Sequence, residues 1–304
     1  MDRSPPDPAR TPTSPELAAV LQAFGHDDGP VEDLWLDFEG RRLHLDFHRA
    51  ARPRAVVVFH PGSGSYARFY CGLGQRLAAS GLHMLGIDRP GHGWSDGARG
   101  DGSIGQALAL TAQLLAHARE QFGLPVVLMG SSLGGLICGF AVLAGQRPDL
   151  AIAHNFLIPG RLASMRLRAW AIARWRRRPY PLHELVHGLP RLSRQPALRA
   201  YLAAGRDPEA AWTLSPRLVA SLFAHDPPRP AGPVAPLVVL SGSRDPAIPA
   251  WGSRWFLRWS GASGARFVDV PGAGHLLFHD DLECTWQRLW PLLQPVLGDG
   301  KAAP

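Results

Sequence analysis

The sequence predicts an α/β protein: a doubly wound, mostly parallel sheet of eight strands with helices on both faces. Continuous apolar runs, typical of strands buried on both faces, alternate with helical patterns. A segment of 77 residues after the sixth strand is far longer than a crossover requires, and predicts an inserted helical cap. We therefore expect a core of residues 16–158 and 236–304, a cap at 159–235, and a disordered N-terminal tail at 1–15.

The N-terminal part supplies the antiparallel start of the sheet. Residues 1–15 are polar and rich in Pro, which favours disorder, and a helix is predicted from Pro15 to Phe24. Apolar residues then alternate at 34–38 and 43–47, on either side of Glu39-Gly40. This alternation predicts an antiparallel hairpin with one buried face.

Six apolar runs predict the remaining strands: Ala55–Phe59, His83–Ile87, Val126–Met129, Ile152–Ile158, Leu237–Leu240 and Phe267–Val270. Helical patterns lie at Arg68–Ser80, Ser103–Phe122, Leu133–Gly145 and Leu282–Leu297. Within the predicted cap, six prolines break the helices into short pieces.

Composition excludes several classes of protein. No apolar run reaches 18 residues, and the N-terminus lacks the apolar core of a signal peptide, so we expect a cytoplasmic protein. Cys71, Cys138 and Cys284 are widely spaced and form neither a metal nor a disulfide pattern.

Most of the net charge of +7 arises in one segment. Residues 155–230 hold 13 Arg against 4 acidic residues. No nucleic-acid-binding motif accompanies them, and we expect no nucleic-acid partner. Trp170, Trp175 and Trp212 lie among these arginines, which suits transient contact with an anionic lipid surface, although a solvated helix face explains the charge equally well. The oligomeric state is not encoded in any pattern we recognise.

A strand, a sharp turn and a helix surround the candidate nucleophile. The apolar run Val126–Met129 leads into Gly130-Ser-Ser132-Leu-Gly134, and a helical pattern follows. A serine at such a turn stands clear of the sheet edge, which makes Ser132 the candidate. A second Gly-x-Ser-x-Gly around Ser95 follows a turn and precedes no helix, so we assign Ser95 no catalytic role.

The partners of a serine nucleophile should follow other strands at the same edge of the sheet. Asp245 comes after the predicted strand at 237–240, and His275 comes on a Gly-rich loop after the last strand. The order Ser132, Asp245, His275 fits nucleophile, orienting acid and base.

An oxyanion hole needs two backbone N–H groups. We expect one from Leu133, directly after the nucleophile, and one from the loop after the strand at 55–59. In that loop we favour Ser63, with Gly62 and Gly64 as open alternatives, whereas Pro61 has no N–H.

Five motifs now stand in order: His60-Pro-Gly-Ser-Gly64, Asp88-Arg-Pro-Gly-His-Gly-Trp-Ser95, Gly130-Ser-Ser-Leu-Gly134, Gly242-Ser-Arg-Asp245 and Gly272-Ala-Gly-His275. Together they resemble the α/β-hydrolase superfamily, in its monoacylglycerol-lipase-like and serine-aminopeptidase-like branch. The resemblance implies hydrolysis of esters with no metal and no diffusible cofactor. His-Pro-Gly replaces the His-Gly of many members, and the cap resembles none that we can place.

The prediction is thus a serine hydrolase that cleaves esters of apolar acyl groups, with monoacylglycerols among the candidate substrates. An amide- or peptide-cleaving enzyme and a non-catalytic binding protein on the same scaffold remain the alternatives. A further rival is the zinc-type sequence His183-Glu184-Leu-Val-His187. Pro181 and Pro190 confine its helix to under two turns, and a metalloprotease would leave the five motifs unexplained.

Overall fold

The computed structural model describes residues 11–27, 29–186 and 188–298. Ten strands lie in this part of the chain: β1 Glu32–Phe38, β2 Arg41–His48, β3 Ala55–His60, β4 Leu82–Ile87, β5 Val126–Ser131, β6 Leu150–His154, β7 Tyr180–Pro181, β8 Thr213–Leu214, β9 Leu237–Gly242 and β10 Arg266–Val270. Eight of them form one sheet in the order β1-β2-β4-β3-β5-β6-β9-β10, and β7 and β8 form a separate pair. Strand β2 runs antiparallel to β1 and β4, and the other neighbours in the large sheet are parallel. The predicted mostly parallel eight-stranded sheet is confirmed.

Ten α-helices accompany these strands: α1 Pro15–Ala23, α2 Cys71–Ala79, α3 Ile104–Phe122, α4 Leu133–Leu143, α5 Ala163–Trp175, α6 Leu182–Leu185, α7 Pro196–Ala204, α8 Pro216–Ala224, α9 Ala250–Ser260 and α10 Leu282–Leu293. The long helix α3 begins where the Ser103 side chain accepts a hydrogen bond from the Gln106 N–H, and it ends at Gly123 with a left-handed φ of 62°. In the described ranges, no helix has the length and apolarity needed to cross a bilayer.

The pleat of β3 divides the core into two layers. Val57 and Phe59 pack on one face of the sheet with apolar residues of α1, α2 and α10. Val56 and Val58 face the other way and pack with α3, α4 and α9. All six residues of β3 are buried, and the first five, Ala55–Phe59, are apolar without alternation, as expected for a central parallel strand.

Two predicted boundaries were wrong, and one helix was not predicted. The sixth strand ends at His154 instead of Ile158, since Asn155 takes a left-handed φ of 55° that ends the ladder. Helix α9 was not predicted, because its Trp251 and Trp255 are exposed and hide the apolar period. The tail does not reach residue 15: Thr11 is buried and donates hydrogen bonds from its N–H and hydroxyl to Asp33. The rest of the predicted disordered tail, residues 1–10, lies outside the described residues.

Residues 159–235, which we call the insertion, contain α5 to α8 and the pair β7–β8. Three backbone hydrogen bonds join its later part to loops of the core. The Ala211 N–H donates to the Gly64 carbonyl (2.7 Å) and the Ser215 N–H to the Gly100 carbonyl (3.0 Å), while Glu209 accepts from the Gly93 N–H (3.0 Å). Its segment 209–215 is therefore tied to the sheet edge where the strands end.

A buried ionic network fixes the antiparallel side of the sheet. His44 is fully buried, with Nδ1 2.9 Å from Asp88 and Nε2 2.8 Å from Asp33. Arg68, also buried, donates two bonds to Asp46. Burial opposes the charged form of His44, but the hydrogen bonds to the two carboxylates outweigh it and raise its pKa to about 10.

Candidate active site

The nucleophile candidate lies on a strained turn between β5 and α4. Ser132 has φ 51° and ψ −117°, and its N–H donates to the His154 carbonyl (2.8 Å). A Cβ on Gly130 would approach backbone atoms of Gly134 to 2.4 Å, and a Cβ on Gly134 would lie 2.0 Å from the His60 carbonyl oxygen. Only glycine at both positions lets strand and helix approach closely enough to hold this turn.

The structure brings the three predicted side chains together. His275 Nε2 lies 3.2 Å from Ser132 Oγ, and His275 Nδ1 lies 2.9 Å from Asp245 Oδ2. Asp245 and His275 are each about 5% exposed. These contacts form a continuous hydrogen-bonded chain from serine through imidazole to carboxylate, the arrangement required for a serine nucleophile.

Asp245 is held as a carboxylate. Its Oδ1 accepts the N–H groups of Ala247 and Ile248, and its Oδ2 accepts from the Asn155 side-chain amide (2.7 Å) as well as facing His275. Burial alone would raise the pKa of Asp245, but the hydrogen bond with His275 and its charge lower it to about 2. The side chain is thus ionised and aimed at His275.

Two residues beside Asp245 and His275, namely His154 and Asn155, were not predicted from the sequence. The His154 ring lies 5.4 Å from the ring of His275, and its Nδ1 contacts the Ser131 hydroxyl (3.1 Å). Burial, reinforced by the charge of His275, lowers the pKa of His154 to about 3, so it stays neutral. Two polar residues inside an apolar run, at the carboxyl end of a parallel strand, were the signal available in the sequence.

Arg89 fixes the loop that carries the predicted second oxyanion donor. Its guanidinium, buried without a carboxylate within ion-pair distance among the described residues, donates to the carbonyls of Pro61 (2.6 Å) and Gly62 (2.8 Å). In a trans peptide the following N–H points opposite to the carbonyl, so the N–H groups of Gly62 and Ser63 point away from Arg89. The Gly62 N–H then donates to the Tyr70 hydroxyl (3.1 Å). In the described chain, the N–H groups of Ser63 and Leu133 have no hydrogen-bond acceptor.

An apolar cavity of about 70 Å³ opens at Ser132. It lies between the core and the insertion, and its apolar lining includes Leu182, Val186, Leu189, Leu192 and Leu276. A wider groove of about 750 Å³ on the outer side of α9 contains none of the three predicted side chains, so we centre the site on the smaller cavity. Ser95 lies elsewhere and is buried; its hydroxyl donates to the backbone carbonyl of Asp88 and accepts the N–H of His44.

The zinc-type sequence does not form a ligand cluster in the described residues. Helix α6 is four residues long, Glu184 pairs with Arg176 (3.7 Å), and His187 lies outside the described residues. The His, Cys, Asp and Glu groups that do converge in the described part are His154 with Asp245 and His275, and Asp33 with His44 and Asp46.

Comparison with known proteins identifies the family. Residues 51–282 match the model of a hydrolase family described as serine aminopeptidase, S33. The chain belongs to this family. The predicted resemblance to α/β-hydrolases of the monoacylglycerol-lipase-like branch is thereby confirmed.

Two curated relatives and two solved structures are similar to this chain. A monoacylglycerol lipase of Mycolicibacterium smegmatis is 27% identical over 257 residues, covering 75% of this chain and 83% of the relative. Phospholipase YtpA of Bacillus subtilis is 35% identical over 89 residues, which cover 29% of this chain and 34% of that protein. A monoglyceride lipase of Saccharomyces cerevisiae superposes with a TM-score of 0.71 at 17% identity, covering 98% of both chains. A monoacylglycerol lipase of Paleococcus ferrophilus superposes with a TM-score of 0.62 at 24% sequence identity, covering 83% of this chain and 98% of that protein. At these identities, the two structures establish a common fold.

Proposed function

We propose that this member of the family is a serine carboxylester hydrolase that acts through an acyl-enzyme on Ser132. His275 takes the proton of the Ser132 hydroxyl as its oxygen attacks the ester carbonyl, and then gives that proton to the leaving alcohol. Water, activated by the same imidazole, releases the acid. Asp245 orients His275 and stabilises its charged form. The N–H groups of Leu133 and Ser63 donate hydrogen bonds to the negatively charged oxygen of the tetrahedral intermediate.

The observation that carries this proposal is the continuous chain of contacts from Ser132 Oγ through His275 to Asp245. It supplies a nucleophile, a base and an orienting acid within hydrogen-bond distance of one another. A binding protein on the same scaffold would be expected to have lost one of these three residues, and none is lost here.

The cavity favours an uncharged, apolar substrate. In the described part of the chain no Asp or Glu lines it, so a cationic amino terminus would lack a counter-charge there. This argues for an ester over the amino-terminal substrate that the family description suggests. Because the cavity is small compared with the several hundred Å³ of typical ligand sites, we propose short or medium acyl chains, with monoacylglycerols as candidates if the insertion opens further.

The test is hydrolysis of p-nitrophenyl esters from acetate to palmitate by wild type, Ser132→Ala and Ser131→Ala, each with and without EDTA. Ser131→Ala removes the neighbouring hydroxyl, which contacts His154, and serves as the matched control. We expect Ser132→Ala to lose at least about 10⁴-fold in kcat, Ser131→Ala to keep most of its activity, and EDTA to have no effect. Equal rates for wild type and Ser132→Ala would exclude Ser132 as the nucleophile. Loss only with EDTA would favour a metal site.

We further propose that the insertion makes transient contact with an anionic lipid surface. Helix α5 exposes Leu167, Trp170 and Trp175, which are 65%, 54% and 63% exposed, in a segment rich in arginine. Exposed aromatic side chains flanked by cations suit the boundary of a bilayer with negative headgroups.

Sedimentation with vesicles of neutral lipid, or of neutral lipid mixed with anionic lipid, tests this contact. Wild type should bind only the anionic vesicles, and the double variant Trp170→Ala/Trp175→Ala should bind them at least about tenfold more weakly. Trp251→Ala removes a tryptophan of α9 that is even more exposed (75%) and should leave binding unchanged. Equal binding by the α5 variant would refute contact through these tryptophans, and wild type that bound neither kind of vesicle would leave the arginines as a solvated face.

A further inference from the structure

The Tyr70 hydroxyl borders the same space as the candidate nucleophile. A Cβ on Gly62 would lie 3.2 Å from the Tyr70 hydroxyl oxygen and 3.5 Å from Ser132 Cβ. The phenol and the serine thus face each other across a gap that glycine leaves open. Tyr70 and Ser132 both line the apolar cavity, so a substrate carbonyl placed for attack by Ser132 lies next to this phenol.

The hydroxyl has a donor that the protein does not use. It accepts the Gly62 N–H, but among the described residues its own hydrogen has no acceptor. The hydroxyls of the two other buried tyrosines, Tyr66 and Tyr201, both donate to Asp207. A buried donor left without an acceptor destabilises the fold, so the exception at Tyr70 indicates an acceptor supplied by the substrate.

The ring of Tyr70 is fixed in place. It packs against Phe59, with ring centroids 4.6 Å apart, and against His279, at 4.9 Å. His279 in turn bonds the carbonyl of Phe69 (2.9 Å), which holds the backbone next to the tyrosine. A donor held this rigidly needs no reorganisation as charge develops in front of it.

We propose that Tyr70 is a further catalytic residue, whose hydroxyl donates a hydrogen bond to the ester carbonyl oxygen as it becomes an oxyanion. The phenol keeps its proton throughout and stabilises charge only. The bond that it accepts from Gly62 polarises its O–H, so the Gly62 N–H acts on the oxyanion through the phenol. This role rests on the proposed esterase function and adds a side-chain donor to the two backbone donors.

The test compares wild type with Tyr70→Phe on an ester and on the corresponding thionoester, in which sulfur replaces the carbonyl oxygen and accepts hydrogen bonds weakly. We expect Tyr70→Phe to lower kcat for the ester about 100-fold with little change in KM, as for loss of one oxyanion donor. The ratio of ester to thionoester rates should fall by a similar factor. Because both rates come from one sample, this ratio does not depend on the fraction of the variant that is folded.

Tyr66→Phe is the matched control, since it removes a buried hydroxyl bonded to Asp207. It should lower the unfolding temperature without changing the rate ratio. An unchanged ratio in Tyr70→Phe would overturn the inference and assign the oxyanion to backbone donors alone. Labelling of Ser132 by a fluorophosphonate separates the two proposals: wild type that is neither labelled nor active would refute the esterase function itself, whereas labelled, active wild type with an unchanged Tyr70→Phe ratio would refute only the role of Tyr70.

Discussion

Replacing Gly134 by Ala should break the contact between α4 and the end of β3. The new Cβ would lie 2.0 Å from the His60 carbonyl oxygen and 2.6 Å from that of Pro61, both backbone atoms that cannot rotate away. Relieving this overlap requires a separation of about 1 Å, which costs about 1–3 kcal/mol in a close-packed interior. The gain in helix propensity from Gly to Ala at this second helical position, about 0.5 kcal/mol, offsets only part of this cost. Because the loop after His60 carries Ser63, one of the two proposed backbone oxyanion donors, a shift of about 1 Å should also lower kcat about 100-fold.

Urea unfolding and hydrolysis of p-nitrophenyl acetate measure the two effects. Gly105→Ala in α3 is the control, since its Cβ would meet nothing closer than 3.9 Å; it should be neutral or up to about 0.5 kcal/mol more stable, with normal activity. The stability of Gly139→Ala should lie between those of Gly134→Ala and Gly105→Ala, because its Cβ would meet the side chain of Phe156 rather than backbone atoms. If Gly134→Ala matched Gly105→Ala in stability and rate, the steric account of the turn would be refuted.

Three further predictions concern the surroundings of the site. Asn155→Ala removes an amide donor from Asp245 and should lower kcat about tenfold at unchanged KM; steady-state rates equal to wild type would assign Asn155 a purely structural role. Arg89→Met releases the carbonyls that orient the oxyanion loop and should also lower kcat about tenfold or more, and a normal kcat in a folded variant would contradict that positioning. His44 has a folded pKa of about 10 against 6.5 when unfolded, so its stabilisation is complete below pH 6.5 and is lost as the pH rises to 10. The free energy of unfolding in urea should therefore fall, by on the order of 3 kcal/mol, between pH 7 and pH 10, and a constant value would refute the buried charge.

Below about pH 9 the fall belongs to His44, because the other perturbed histidines act elsewhere and the buried Cys138, Tyr66 and Tyr201, whose pKa values burial raises from 9.0 and 10.0, lower the free energy of unfolding only above that pH. Burial lowers the pKa values of His60, His92 and His154 to about 3. A histidine that is neutral when folded loses stability only where its unfolded form takes up a proton, below about pH 6.5. Above pH 7 these groups are neutral in both the folded and the unfolded state, so they do not change the free energy of unfolding with pH.

The parts of the site that the sequence predicted are those with a local signal. Ser132, Asp245 and His275 each follow their own strand within a few residues, so the rule that parallel strands end at one edge brings them together. Tyr70 and Arg89 carry no such signal. Tyr70 comes from the short helical turn before α2, and Arg89 from the loop after β4, and only the packing of separate loops brings them to the oxyanion region.

The same distinction explains the boundaries of the fold. The central strands were found because burial on both faces makes them apolar throughout. The apolar run continues to Ile158, beyond the end of the strand, because Phe156 and Ile158 are buried although they no longer pair with a neighbouring strand. A run of apolar residues indicates burial, and burial continues beyond the last residue that forms hydrogen bonds with a neighbouring strand.

The backbone bonds between the insertion and the core make the insertion unsuitable as an exchangeable module. Gly100 can accept the Ser215 N–H only because it lacks a side chain: a Cβ there would lie within van der Waals overlap of the Thr213 carbonyl oxygen. A Cβ on Gly64 would likewise lie 2.5 Å from the carbonyl oxygen of Ala211. A chimera that took its insertion from another hydrolase would have to bring matching loops at positions 64, 93 and 100. Changes of specificity in this scaffold should therefore accumulate in the helices α5 to α7, which precede the segment tied to the core, while residues 209–215 and their glycine partners change together.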